Sequence, residues 1–281
     1  MRTTTERNDR AKRAIRRIGC VSFLNARPLI DGLELESDPL VRFAVPSRLL
    51  ADLEAREVDI ALCPVIDYQR SRQPLAMVPV GAIGCQGTTL TVRLYSAVPL
   101  SQVRVVHVDT DSHTSVALLQ VILAQRYGVV PQITCYDARE QVAENQVLPW
   151  PEAMLLIGDK VVTGSPPAVR YPHQLDLGDA WLEMTRLPFV FAVWMAIAGT
   201  DLGQLPRLLE QTRLRNASRI GQIVHRHAPP LGWPVDLAEQ YLGRWLCYDL
   251  GPRQIEAIER FFHLAHQLEL IPHHRPLRVW K

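Results

Sequence analysis

The sequence predicts an α/β protein of two lobes with a ligand cleft between them. From residue 17 onward, short β-rich apolar runs alternate with helical patterns, the mark of parallel sheets joined by crossover helices. A strand-like run at residues 188–198 follows a complete second set of strands and helices, so the chain returns late to the lobe it left. With 281 residues, 47% hydrophobic and 21% charged, the chain is long and apolar enough for such a core.

Residues 17–23 read as a strand, 46–56 as a helix, 59–64 (DIALCP) as a second, buried strand and 77–83 as a third. Residues 89–96 (TLTVRLYS) alternate and read as a strand leaving the first lobe, and 103–108 (VRVVHV) open a second unit. Residues 115–127 are apolar on most faces, which predicts a buried helix that Gly128 stops. Residues 154–157 (MLLI) run into Gly158-Asp159. After 188–198 only helices are expected, over 205–226, 236–248 and 252–270. The last carries Ile255, Ile258, Phe262, Ala265 and Leu268 on one face and Pro252 in its first turn. No repeat of roughly 20–50 residues is visible. The expected organisation is a disordered basic tail at 1–16, a first lobe at 17–95 completed by 189–281, and a second lobe at 96–188.

Composition narrows the function. The net charge is +2, and the first 17 residues contribute +5 of it, so the rest of the chain carries −3. Nothing in the body therefore asks for nucleic acid. The basic start has no aromatic residues and no apolar face, and Arg16, Arg17, Ser22, Asn25 and Arg27 interrupt the run of about 7–15 apolar residues that a secretory signal needs. No stretch is long enough to cross a bilayer. The expected location is the cytoplasm, where the five widely spaced cysteines (Cys20, Cys63, Cys85, Cys135 and Cys247) read as reduced core residues. Monomer and homodimer both stay open.

Four short segments could carry chemistry. Ser22 and Asn25 follow the first strand directly, where ligands of open α/β sheets sit, although Asn25 could instead cap the helix that Pro28 begins. Asp111, Ser112, His113, Thr114 and Ser115 precede the buried helix, and hydroxyls with free backbone N–H groups at a helix start suit a carboxylate better than a polyphosphate. An ordinary N-cap would need only one of them. Thr88 and Thr89 after Gly87, and Asp159 after Gly158, are cleft-facing or else plain turn residues. No glycine-rich phosphate loop, dinucleotide fingerprint or GxSxG elbow occurs. The pairs His263 and His266, His225 and His227, and His273 and His274 lack a cysteine or paired carboxylate to complete a metal shell, so no metal is expected.

Taken together, RIGCVSFLNARPL, DIALCP, DSHTS, LLIGD and DLGDAWLEMTRLPFVFAVW, in that order over residues 17–194, resemble the menaquinone-biosynthesis family of chorismate dehydratase and 1,4-dihydroxy-6-naphthoate synthase. Any one of these motifs is weak, whereas five in order are specific. The Ser-aromatic-Leu-Asn-x-x-Pro-Leu form of the first motif is similar to the dehydratase branch, whereas the synthases carry a Ser-Pro-Cys-Pro-Asn type segment there. Three positions depart from the family pattern: Phe23 stands where Tyr is common, His113 where Arg is common, and Arg186 where Gly is common.

The resemblance implies a type II periplasmic-binding-protein-like fold. It also implies conversion of chorismate to 3-[(1-carboxyvinyl)oxy]benzoate and water on the futalosine route, with chorismate as the small-molecule partner and no cofactor. Asn25 is the expected catalytic residue. Ser22, Thr88, Thr89, Ser112, Thr114, Ser115 and Asp159 are the expected substrate contacts. A cytosolic carboxylate sensor using the same cleft and the sister synthase are the alternatives.

Overall fold

The computed structural model describes residues 16–35, 38–108, 112–135 and 150–280. The basic tail expected at 1–16 and Asp111 of the hydroxyl segment therefore lie outside the described residues, apart from Arg16. Among the described residues the strands are β1 (Arg17–Cys20), β2 (Leu40–Phe43), β3 (Ile60–Pro64), β4 (Leu75–Cys85), β5 (Val92–Ser96), β6 (Val105–Val108), β7 (Gln132–Cys135), β8 (Ala153–Ile157), β9 (His173–Asp176), β10 (Phe189–Ile197) and β11 (Leu246–Cys247). The helices are α1 (Arg27–Ile30), α2 (Pro46–Glu54), α3 (Asp67–Arg70), α4 (His113–Tyr127), α5 (Lys160–Thr163), α6 (Leu177–Thr185), α7 (Leu205–Ala217), α8 (Ile220–His227), α9 (Val235–Gln240) and α10 (Pro252–Gln267).

They form two sheets, one in the order β11-β4-β10-β3-β1-β2 and one in the order β7-β6-β8-β5-β9. Both are mixed, not purely parallel. In the first, β1 runs parallel to β2 and β3, but β10 is antiparallel to β3 and β4. In the second, β6 runs parallel to β7 and β8, but β5 is antiparallel to β8 and β9. The late strand does return to the first sheet, wedged between β3 and β4. β5, however, belongs to the second sheet, so the crossing lies at residues 86–91 and the boundary expected at residue 96 comes too late. Four strands escaped the sequence reading because they are the short edges of the two sheets: β2, β7, β9 and β11. The last corrects the expectation of helices alone after residue 198, since Leu246 and Cys247 pair with Cys85 and Gly84.

The helices follow their local chemistry. In α4 the Ser112 hydroxyl accepts from the Ser115 amide, and Gly128 ends the helix at φ +68. α4 is buried along most of its length because it packs between the lobes, against α6, β10 and α10. Asp176 caps α6 by accepting from the Gly178 and Asp179 amides, and the same carboxylate takes the Thr89 and Leu90 amides of the crossing. That turn leaves no room at Gly178, where a Cβ would lie 2.3 Å from the Gly87 carbonyl oxygen. The helix expected over 205–226 is broken into α7 and α8. The one expected over 236–248 stops at Gln240 and passes through a π-helical turn, Tyr241–Trp245, closed by the Leu246 amide on the Tyr241 carbonyl.

Trp181 of α6, Phe189 and Phe191 of β10 and Phe261 of α10 interlock edge to face, with centroids 4.7–6.1 Å apart. The cluster joins the second lobe to the returning chain. Of the cysteines, Cys20, Cys63 and Cys85 are buried, and burial pushes the Cys20 thiol up to about 12. Cys135 is exposed on an edge strand and Cys247 is half-buried, so the core reading fits only three of the five. No helix among the described residues is long and apolar enough to cross a membrane.

Arg186, where the family commonly has glycine, closes α6 in the left-handed region at φ +62. A side chain there costs about 1 kcal/mol relative to glycine. Arg186→Gly is expected to raise the melting temperature by about 2–4 °C; a lowered value in a thermal melt would contradict this account of the departure.

Candidate functional site

The carboxyl ends of the two sheets face each other across a cavity of about 580 Å³, its open mouth included. Its walls come from both lobes. Val21, Phe23 and Asn25 follow β1, Leu62 and Pro64 end β3, and Phe191 and Ala192 come from β10. Thr89, Thr91 and Val92 line it from the crossing into β5, Ser112 and Ser115 from the start of α4, and Ile157 and Gly158 from the end of β8. Tyr241 and Leu246, at either end of the π-helical turn, complete the wall from the C-terminal region.

Of the expected site residues, Asn25, Thr89, Ser112 and Ser115 line this cavity. Asn25 does not cap a helix. It sits inside a 3-10 turn, Leu24–Ala26, and neither that turn nor α1 has a side-chain cap. The other four expected contacts do not line the cavity. Ser22 is exposed, because the chain turns at the end of β1. The Thr88 hydroxyl is 3.0 Å from both Asp179 carboxylate oxygens. The Thr114 hydroxyl accepts from the Ile66 amide at 3.3 Å, tying α4 to the first lobe. Asp159 accepts from the Trp233 indole at 2.9 Å and from the Leu24 amide. These side chains answer to partners within the protein, which the short segments around them do not reveal.

Sequence reasoning missed Thr91 and Tyr241. Thr91 was within reach, since it alternates with Thr89 in the segment 89–96 that reads as a strand. Tyr241 had no such signal, because its hydroxyl meets Thr91, 2.7 Å away, across 150 residues of chain. The Tyr241 ring stacks on Trp233 at 4.9 Å and 18°. Burial pushes the Tyr241 phenol well above its ordinary range, so it stays neutral.

Among the described residues, none that lines the cavity is charged. His113 turns away from the cavity, and its Nδ1 meets the fully buried Asp67 carboxylate of α3 at 2.8 Å. The family arginine at this place has thus given way to a side-chain hydrogen bond between lobes. His263, His266 and His274 are exposed, with ring centroids 6.2–6.4 Å apart across the last helix and the C-terminal segment. Asp31, Glu34 and His227 do bring ligand atoms within 4.8 Å of one another. Asp31 is already met by His227 at 2.6 Å and Arg226 at 3.2 Å, and Glu34 by Arg27 at 3.6 Å, so this group is an ion-pair network fastening α1 to α8.

The family model for menaquinone biosynthesis matches residues 16–267. The chain belongs to the menaquinone-biosynthesis family. It is 29% identical over 240 residues to the chorismate dehydratase of Thermus thermophilus, covering 80% of this chain and 86% of that relative. Among solved structures it resembles the periplasmic aliphatic sulphonate binding protein SsuA of Escherichia coli, with a TM-score of 0.62 at 16% identity over 95% of this chain and 92% of that one. It also resembles the alkanesulfonate-binding protein SsuA of Xanthomonas axonopodis pv. citri, with a TM-score of 0.64 at 14% identity over 94% and 96%. At such identity these two establish the fold, which is periplasmic-binding-protein-like.

Two outcomes separate the interlobe side chains from the cavity ones. Thr114→Val orphans the buried Ile66 amide at a cost of about 1–3 kcal/mol, so its melting temperature should drop, whereas that of Ser115→Ala should stay near wild type. Equal melting temperatures would return Thr114 to the ligand site. For Asp159, burial raises the carboxyl above its ordinary 3.8, against the pull of Trp233 and Leu24. The folded state then holds a proton that the unfolded chain has released, and stability falls as pH rises from about 4 through the raised value. Asp159→Asn should abolish that part of the slope in melts between about pH 4 and 7; an unchanged slope would contradict it.

Proposed function

We propose that this protein is a chorismate dehydratase, a hydro-lyase that converts chorismate to 3-[(1-carboxyvinyl)oxy]benzoate and water on the futalosine route to menaquinone, working in the cytoplasm. The observation that carries the reading is the position of Asn25. The family's Ser-aromatic-Leu-Asn segment delivers it into a cavity between lobes whose polar lining among the described residues is neutral: Asn25, Thr89, Thr91, Ser112, Ser115 and Tyr241. The curated dehydratase relative supports the same reaction.

The chemistry suits neutral donors. The ring carbon bearing the enolpyruvyl ether loses its proton, the charge spreads through the adjacent double bond into the ring carboxylate, and hydroxide leaves from the neighbouring carbon, so proton and hydroxide leave as water and the ring becomes aromatic. Donors at the carboxylate stabilise the charge where it develops, and the Ser112 and Ser115 hydroxyls at the start of α4 are the groups we assign to that task. A base must take the proton. Asp159 and His113 face Trp233 and Asp67 and do not line the cavity. Asp111, the third titratable group of these segments, lies outside the described residues. We assign the base to the enolpyruvyl carboxylate of the substrate, folded over the ring, since a well-held intramolecular group reaches effective molarities of about 10⁵ M or more.

The test is purified protein with chorismate, followed by absorbance and mass of the aromatic product. Turnover is expected without added metal or nucleotide. Asn25→Ala should lower kcat by about 10²–10³-fold, in the range of losing one aligned polar group in an active site. Asp159→Asn and His113→Gln should each retain substantial turnover. A loss of several orders of magnitude at either, with binding intact, would place the base on the protein. Tight chorismate binding without turnover would instead favour the sensor reading that the solute-binding fold also allows.

A further inference from the structure

The last helix and the segment after it bring three imidazoles together outside the cavity. His263 and His266 stand three residues apart on one face of α10, and His274 lies beside both. Its ring centroid is 6.4 Å from that of His263 and 6.2 Å from that of His266. All three residues are exposed, and among the described residues no carboxylate and no hydrogen bond engages their rings. The backbone that carries them is fixed. Phe262 and Ala265, next to the two helical histidines, are fully buried. Next to His274, the Arg275 amide donates to the Gln69 side chain at 2.7 Å, the Arg275 carbonyl accepts from it at 2.9 Å, and the Pro276 carbonyl accepts from the Tyr68 hydroxyl at 2.9 Å. On the other side of His274, Ile271 is buried. Only side-chain torsions are left to move.

We propose that His263, His266 and His274 form a binding site for a divalent transition metal of the zinc class, which fastens the C-terminal segment to α10. Imidazole nitrogen suits zinc, nickel and copper, whereas magnesium and calcium take oxygen ligands. With metal–nitrogen bonds of about 2.1 Å and tetrahedral angles, the centroids of ligating imidazoles lie about 5 Å apart. The two distances to His274 exceed that by only about 1 Å, which rotamer changes of exposed side chains can close. Three protein nitrogens leave the fourth corner of the tetrahedron to water. The neighbouring cation is turned aside, since the Arg275 guanidinium donates to the Ser71 carbonyl at 2.7 Å. In the sequence, the pairs His263-His266 and His273-His274 each fall short of a shell. The fold supplies the missing ligand by carrying His274 back onto α10. None of the three residues lines the cavity between the lobes, so the role of the metal is structural.

The test is calorimetric titration of the untagged protein, first stripped with a chelator, with Zn²⁺ and with Ni²⁺. One equivalent of each should bind, and Zn²⁺ at about a hundredfold above its dissociation constant should raise the melting temperature by about 5 °C. His274→Ala and His263→Ala should each weaken binding by about tenfold or more and remove that rise. His227→Ala, which opens the Asp31 and Glu34 network on α8, should leave binding unchanged. Absence of stoichiometric binding by the wild type would overturn the proposal. So would binding undiminished in His274→Ala, which reduces the site to a helical pair, or binding lost in His227→Ala, which moves the metal to α8.

Discussion

The structure depends on β10. This strand arrives after the whole second lobe has been built, yet it pairs antiparallel with both β3 and β4 at the centre of the first sheet. Its first residue, Phe189, lies opposite Cys85, the last of β4, so the chain leaves and re-enters the first sheet at adjacent points. The second lobe is thereby hung on two neighbouring crossings. Asp176 stiffens them by gathering the Thr89, Leu90, Gly178 and Asp179 amides on one carboxylate, and the Trp181, Phe189 and Phe261 rings fill the space behind. With the hinge so confined, the carboxyl ends of both sheets have little choice but to confront one another, and the cavity lies there.

Polar side chains around that cavity divide between two tasks. Thr114, His113 and Asp159 join the lobes through Ile66, Asp67, Leu24 and Trp233. Asn25, Ser112, Ser115 and Thr91 are left facing the interior. Neighbours in sequence therefore part in function: along α4, Ser112 and Ser115 look into the cavity while the two residues between them hold the lobes together. Among the described residues this arrangement keeps fixed charges out of the lining. A doubly charged ligand would then meet oriented hydroxyls and amides, which need no reorganisation as charge moves through the ring.

The departures from the family pattern find local accounts on the same footing. His113 serves as the partner of a buried carboxylate across the interface. Arg186 accepts a left-handed helix end that glycine would take without strain, and its carbonyl is used by Arg253 of α10. Phe23 turns its ring toward the open side of Gly158, so an apolar edge lies against the end of β8.

The order of strands and helices, the late return, the buried helix and its capping serine were legible in the sequence, because periodicity, glycine and capping residues act over a few positions along the chain. The motif after β1 also pointed to Asn25, which does line the cavity. Edge strands such as β2 and β11 were not legible, since two to four half-exposed residues carry no pattern until a neighbour pairs with them. Nor was it legible which hydroxyl of Ser112, Thr114 and Ser115 would face a ligand, because that depends on the partner each finds in the other lobe. Tyr241 belongs wholly to the tertiary structure: its place at the cavity is set by a π-helical turn, a stack on Trp233 and a bond to Thr91. Local sequence governs how a segment folds, while the direction in which a buried polar group points is decided by the donor or acceptor that distant chain brings to it.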